Sequence, residues 1–331
     1  MEHMAGTKDV VLNFLEQNKG TFLSGETIAK ELSLSRNSVW KAIESLRRDG
    51  YRIEAASRRG YSLSGESDIL SSSGILSFLS FGMDPSQIHI FDSLESTNKT
   101  AKSMASLGAS HGTVVISKTQ TLGSGRKNRS FFSPEGGIYM SIILDPHFLP
   151  FSNTALITSY TAVCICKAME KLANVTPTIK WINDIYLGSK KICGILTESG
   201  TDFESGEIQW LVVGIGINFA IDQKAFPVEL RKKAGSLFTP GETIISKNHL
   251  IAEIIDRLTS PVSAKKLTPS SILRSYKKRL NMLDAEVTVI QRNGESYTAI
   301  AKDIDENGKL IIELPDKSTK TLSSEEISIR I

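Results

Sequence analysis

The run Lys180-Trp181-Ile182-Asn183-Asp184-Ile185-Tyr186-Leu187, followed by Lys190-Lys191-Ile192-Cys193-Gly194-Ile195-Leu196, sets an Asn-Asp pair between two lysine positions on a predicted β-hairpin. A carboxylate and an amide can hold a divalent cation, and a lysine can hold an anion. Together they suit a site that handles a nucleotide phosphate and a carboxylate. A Lys-Lys turn alone is more often a solvated hairpin tip, so two further segments matter.

Residues 120–134 form the second. Gly123-Ser124-Gly125-Arg126-Lys127-Asn128-Arg129 is polar, basic and glycine-bearing, with almost no apolar residue before Phe131. Glycines let backbone amides approach an anion, and arginines bind phosphate in a bidentate way. Such a loop buries too little apolar surface to order itself cheaply. It is expected to move when empty and to close over an anion; an ordinary surface loop has the same composition. The third segment, Gly214-Ile215-Gly216-Ile217-Asn218, places glycines inside a predicted strand. That marks a close approach of backbone or ligand, or a bulge. Asn218 follows an apolar strand, where a polar ligand can be met.

The elements that must position these residues are alternating strands and helices. Strands are predicted at Ile88-His89-Ile90-Phe91 and at residues 113–117, 137–144, 178–181, 192–198 and 208–218. Helices are predicted at 98–107 and 154–172, the second largely apolar and so buried against a sheet.

The first sixty-five residues have a different character. Val10, Val11, Phe14 and Leu15 recur at helical spacing, Gly25 opens a short second helix, and Ser35 is a suitable N-cap for a third over Arg36–Arg48. In that helix Val39, Ala42, Ile43 and Leu46 face inward, which turns Arg36, Asn37, Trp40 and Lys41 outward, as in a helix that reads a major groove. Tyr51-Arg52-Ile53 and Tyr61-Ser62-Leu63 read as paired strands around Arg58 and Arg59. Residues 36–59 carry seven basic and three acidic side chains, a net +4, against +3 for the whole chain. The pattern predicts a winged helix-turn-helix that contacts DNA through Ser35, Arg36, Asn37, Trp40, Lys41, Arg58 and Arg59. Residues 64–68 are polar and read as a linker.

Bulk properties exclude several classes. A length of 331 residues predicts two or three domains, and 40% hydrophobic with 23% charged residues is ordinary for a soluble protein. Three cysteines, Cys164, Cys166 and Cys193, make no disulfide framework and suit a reducing, cytoplasmic setting. No long apolar run predicts a membrane span, and the start, Met1-Glu2-His3-Met4, lacks the order of a signal peptide.

Ser96-Thr97-Asn98, the loop from Gly123 to Arg129, Lys180-Trp181-x-Asn183-Asp184, Lys191-x-x-Gly194-Ile195-Leu196 and Gly214-x-Gly216-Ile217-Asn218, behind a winged helix, resemble the biotin–protein ligases. The resemblance is closest to the bifunctional kind that also represses the biotin operon, and it covers nearly the whole chain. It implies an α+β multidomain protein. Residues 1–65 would be the winged helix-turn-helix, and 66–280 a ligase domain with the α/β core of class II aminoacyl-tRNA synthetases. Residues 281–331 would be an SH3-like β-barrel. The last agrees with strand patterns at Val287-Thr288-Val289-Ile290, Tyr297-Thr298-Ala299-Ile300 and Leu310-Ile311-Ile312-Glu313-Leu314, separated by Asn-Gly turn signals after Arg292 and Glu306.

The resemblance also implies an ATP-dependent, AMP-forming reaction. Biotin and ATP give biotinyl-5′-AMP, and a lysine of the biotin carboxyl carrier protein of acetyl-CoA carboxylase takes the biotin. By it Lys191 and Arg126 are the catalytic cations. Ser96, Thr97, Asn98, Gln120, Gly123, Ser124, Gly125, Arg126, Lys191 and Gly194 hold biotin. Arg126, Arg129, Asn183, Asp184 and Asn218 hold the nucleotide, and Asp184 a Mg²⁺ ion. It implies an adenylate-bound homodimer on operator DNA. The chain departs from the family loop at Ser124, a usual arginine, and at Asn128, a usual glycine. Phe131 replaces a usual tryptophan, and Ile182 a usual proline. A DNA-binding biotin sensor with weakened ligase activity, and a lipoyl-transferring relative, are the alternatives.

Overall fold

The computed structural model describes residues 6–64, 69–149, 153–202, 204–260, 268–291, 293–323 and 327–330. The start of the chain, most of the expected linker and Arg292 lie outside the described residues. The rest fall into two compact units, residues 1–90 with 245–256, and residues 91–244 with 257–331.

In the first unit α1 (Thr7–Gln17), α2 (Gly25–Glu31) and α3 (Arg36–Arg48) pack around Val11, Leu15, Ile28, Val39, Ile43 and Leu46, all buried. Ser24 and Ser35 cap α2 and α3 by accepting from the amides of Thr27 and Ser38, each at 3.0 Å. A side-chain cap of this kind is worth about 1 kcal/mol. Strands β1 (Ile53–Ala56) and β2 (Gly60–Leu63) pair antiparallel as the wing. Only glycine suits position 60, with φ at +98° and an added Cβ 2.1 Å from the Leu23 carbonyl. A short α4 (Ser72–Leu76) follows. Asn248 binds the backbone beside it, donating to Ile69 at 2.8 Å and accepting from Ser71 at 3.2 Å.

The second unit holds a seven-stranded sheet. Its strands are β3 (Ile88–Leu94), β4 (Val114–Gln120), β5 (Ile138–Leu144), β6 (Thr178–Lys180), β7 (Asp184–Leu187), β8 (Lys190–Thr201) and β9 (Ile208–Ile217), in the spatial order β3-β4-β5-β9-β8-β7-β6. Strand β5 is buried at every position, because helices cover it. Helix α5 (Thr97–Ser106) packs on β4, β5 and β9, and α6 (Thr154–Ala173) on β8. Helix α6 is apolar nearly all round, as expected for an interior helix. Helix α7 (Lys247–Thr259), most of which belongs to the first unit, and α8 (Pro269–Lys277) are not expected from the sequence, and α8 packs on α6.

The three cysteines are buried and unpaired, and burial pushes the thiols of Cys164 and Cys166 up to about 12. No helix among the described residues is long and apolar enough to cross a membrane.

The C-terminal strands are β10 (Glu286–Gln291), β11 (Ser296–Ile304), β12 (Leu310–Glu313), β13 (Thr319–Leu322) and β14 (Ile327–Arg330). They form one antiparallel sheet in the order β13-β12-β11-β10-β14. The family resemblance implies an SH3-like barrel here, but no pairing between the edge strands β13 and β14 occurs among the described residues. Strand β13 escapes the sequence patterns because three of its four side chains are exposed and give no apolar alternation.

Candidate functional site

A cavity of about 210 Å³ opens in the second unit, lined from α5, the β4–β5 loop, the β6–β7 turn, β8 and β9. Its lining is mixed. Ser96, Thr97, Asn98 and Gln120 are neutral and polar. The charged lining residues are Arg126, Lys127, Arg129, Lys180 and Lys191 against one acid, Asp184. Five positive charges and one negative leave a local +4, and such a wall attracts anions.

The neutral side chains are hydrogen-bonded to one another and to their neighbours. The Gln120 side-chain carbonyl accepts from the Thr97 amide at 2.8 Å, and its NH₂ donates to Ser133 Oγ at 2.9 Å. Ser141, buried under α5, places its hydroxyl 2.8 Å from Thr97 Oγ1 and 2.6 Å from Asn98 Oδ1. The Asn98 NH₂ donates to Glu198 Oε2 at 2.7 Å and to the Leu196 carbonyl at 3.2 Å.

Among the cations, Lys191 Nζ sits 2.7 Å from Asp184 Oδ1 and over the Phe131 ring, 5.8 Å from its centre. Both side chains of the ion pair are partly exposed, so the pair is accessible to a competing anion. Arg126 Nη1 donates to Asn183 Oδ1 at 3.4 Å, and Asn183 Nδ2 donates to the Ile195 carbonyl at 2.8 Å. The loop folds on itself. The Phe131 amide donates to the Gly123 carbonyl at 2.7 Å, and the Gly125 amide to the Arg129 carbonyl at 2.6 Å.

Most predicted residues meet in this cavity. Gly123 and Asn218 do not line it. Gly123 faces inward, where an added Cβ would stand 2.4 Å from the Phe131 carbonyl. Asn218 is 5% exposed, and its NH₂ bonds the carbonyls of Gly235 at 2.9 Å and Lys191 at 3.4 Å. It therefore braces the strand that carries Lys191. The two strand glycines admit side chains. An added Cβ at Gly214 would lie 2.0 Å from Asn98 Oδ1, and one at Gly216 2.5 Å from the Phe131 ring.

Trp181, buried, forms wall, its indole N–H donating to the Gly308 carbonyl in the β11–β12 turn at 3.0 Å. Lys127, Lys180, Ser130 and Phe131 also line the cavity, although the sequence assigns none of them a binding role. The basic character of the loop is the available signal for Lys127.

On the first unit Ser35, Arg36, Asn37, Trp40, Lys41, Arg58 and Arg59 are all exposed. Trp40 is 51% exposed, unusual for so large an apolar ring. The Arg59 guanidinium lies 4.2 Å from the centre of the Phe22 ring. Arg47, basic in sequence, is committed to the fold: it donates to the Ile53 carbonyl and to Glu44.

Residues 90–218 match the model of the biotin/lipoate A/B protein ligase family, residues 8–62 that of an HTH domain, and residues 283–330 that of the biotin protein ligase C terminal domain. The chain is 34% identical over 323 residues to the bifunctional ligase/repressor BirA of Bacillus subtilis (strain 168), covering 96% of this chain and 97% of the relative. It is 29% identical over 318 residues to the protein of the same name from Escherichia coli (strain K12), covering 94% of each. Among solved structures it is similar to the biotin protein ligase from Aquifex aeolicus in complex with biotin and ATP. The TM-score is 0.62 and the identity 24%, over 73% of this chain and 98% of that chain.

Proposed function

The chain belongs to the family of bifunctional biotin ligase/repressors, and from that premise we propose how its pocket performs the ligation and how its first unit uses the product. It is a biotin–[acetyl-CoA-carboxylase] ligase and a DNA-binding repressor. The observation that carries the residue roles is the make-up of the cavity lining, a hydrogen-bonded neutral group beside charged side chains that sum to +4.

Biotin has a neutral ureido ring at one end and a carboxylate at the other, so one orientation satisfies both ends. Ser96, Thr97 and Gln120 take the rings, with Asn98 behind them. Lys191 and Arg126 take the carboxylate. Arg129, with Asn183 and Asp184, takes the nucleotide.

The carboxylate attacks the α-phosphorus of ATP, and pyrophosphate leaves. Charge develops on the oxygens between the two reactants, where fixed cations stabilise it without reorganising. The carrier lysine then attacks the mixed anhydride and AMP leaves. That amine is only about 0.04% free base at pH 7, and a bare carboxylate is a poor electrophile, which is why activation comes first. Lys191 exchanges its partner Asp184 for the substrate carboxylate, and Asp184 is then available to a cation.

A Mg²⁺ ion fits this donor set on one condition. No cluster of three His, Cys, Asp or Glu side chains suited to a metal occurs among the described residues. Mg²⁺ commonly takes one or two carboxylates plus substrate phosphates, so Asp184 would hold an ion that arrives with ATP. Such an ion neutralises phosphate charge when bound.

The rest of the chain serves the same reaction and its product. The domain limits are 1–65, 66–280 and 281–331, the last an SH3-like barrel, and the protein works in the cytoplasm. The adenylate favours a homodimer, which sets two α3 helices on two operator half-sites. Ser124 stands where the family loop carries an arginine. Ser124→Arg should slow adenylate release about tenfold by restoring one charge-assisted hydrogen bond, measured by filter retention of labelled biotinyl-AMP.

The deciding experiment is biotin-dependent ATP–pyrophosphate exchange, with lipoate as the control and mass spectrometry of retained ligand. Biotinyl-AMP on the protein supports the reading. Exchange that ignores biotin, or that prefers lipoate, overturns it. Sedimentation with adenylate tests the dimer, and an unshifted monomer would remove that part.

A further inference from the structure

Glu198 lies on β8 outside the cavity, with its side chain 31% exposed, yet one carboxylate oxygen reaches inward to Asn98. The other, Oε1, accepts from Lys102 Nζ of α5 at 2.6 Å. The helix and the strand are thereby tied by one carboxylate.

The tie fixes an amide. Asn98 is 5% exposed, and both N–H groups of its side chain are used, on Glu198 and on the Leu196 carbonyl. Its carbonyl faces the Ser141 hydroxyl at 2.6 Å. Rotating the amide by half a turn would set its oxygen against a carboxylate and a carbonyl, with no donor for either. Ser141 in turn touches Thr97 Oγ1, and Thr97 holds Gln120 through its amide. An unbroken polar chain runs from Lys102 at the surface to Thr97 and Gln120 on the cavity wall. Gly214 leaves the space that Asn98 needs.

We propose that Glu198 is a positioning residue for the ureido end of the biotin site, acting through Asn98, with Lys102 as its counter-charge. Glu198 touches no substrate. It sets the direction of the Asn98 amide, and so which atoms of Thr97 and Gln120 remain for the ligand. A network of this sort is worth most when every member is satisfied. The proposal rests on the ligase reading of the pocket only for the identity of the ligand.

The test compares Glu198→Ala, Glu198→Gln and Lys102→Met in the full-length protein, by calorimetric titration with biotin alone and by pyrophosphate exchange. Loss of the charge-assisted acceptor should weaken biotin about tenfold in Glu198→Ala. The KM for ATP and the kcat should stay within about twofold. Glu198→Gln keeps an oxygen acceptor for Asn98 and should recover most of the affinity; Lys102→Met should lose about two- to threefold. Unchanged biotin affinity in Glu198→Ala overturns the proposal. So does a uniform loss across biotin, ATP and kcat that Glu198→Gln does not rescue, which is the mark of simple unfolding. If Glu198→Ala does not fold, Lys102→Met at unchanged biotin affinity overturns it equally. Failure of the ligase reading looks different: wild-type protein would bind biotin without biotin-dependent exchange, and the titration would still decide the role of Glu198; wild-type protein that binds no biotin overturns both.

Discussion

The surface proposed to meet DNA draws its side chains from residues 35–59, while the cavity gathers its own from residues 96–216. Both are basic. On the first unit the cations project from one helix and one turn, and the apolar residues between them make the core. In the cavity the cations come from a loop and from strands, and Lys191 and Arg126 depend on Asp184, Asn183 and Asn218. A surface that meets a polyanion needs charge and outline. A site that orients small reactants needs every polar atom placed, so its charges are braced by other side chains.

The largest expected effect breaks one region and spares the other. Lys191→Ala should lower the rate of biotin-dependent exchange by roughly 100- to 1,000-fold, the usual scale for a preorganised cation. Ligand-free binding to operator DNA should not change. Normal exchange in this variant would remove Lys191 from the catalytic role.

Gly214→Ala should cost about 1–3 kcal/mol, because its Cβ would overlap Asn98 Oδ1 and the strand cannot move aside. Thermal unfolding should show a fall of several degrees. Ser57→Ala at the exposed wing tip should leave the midpoint in place. Equal midpoints for the two variants would deny that the cavity is the more tightly determined region.

Arg58→Ala and Arg59→Ala act on the other side. Each should flatten the salt dependence of operator binding by about 0.9 for every phosphate the arginine no longer neutralises, read as the slope of log affinity on log salt. Exchange activity should stay at the wild-type level. A slope that holds would place the wing away from the phosphates.

The smallest effect concerns pH. Burial holds the His111 ring below the usual imidazole range, opposed in part by the Asp145 charge and the Thr259 backbone. Its folded pKa is depressed, so the unfolded chain takes up the proton first. The contribution is complete above the unfolded value near 6.5 and is lost as pH falls through the folded value. No histidine lines the cavity. Stability should therefore decline below about pH 6.5, and His111→Asn should flatten that decline. Biotin affinity should stay level over the same range.

Much of this is legible in order along the chain. The inward stripe Val39, Ala42, Ile43 and Leu46 repeats at helical spacing, and it alone decides which side of α3 carries Trp40 and Lys41. The cavity is legible as a set of segments. Local rules do not show that Asn218 and Gly123 stand behind the wall while Phe131 and Lys180 stand in it. Those facts depend on strand register and on the turn of a loop. Glu198 gives no signal, because its partners Asn98 and Lys102 are about a hundred positions away. The C-terminal strands can be read where side chains alternate and not where they fail to, as at β13.

The kinds of element, the outward face of α3 and the supply of cations follow from the order of residues, since periodicity and charge are properties of neighbours along a chain. Which acid Lys191 meets, which amide is locked and which glycine makes room are visible in the folded chain alone. Those depend on distances between residues that meet across a sheet, and spacing in sequence carries no measure of them.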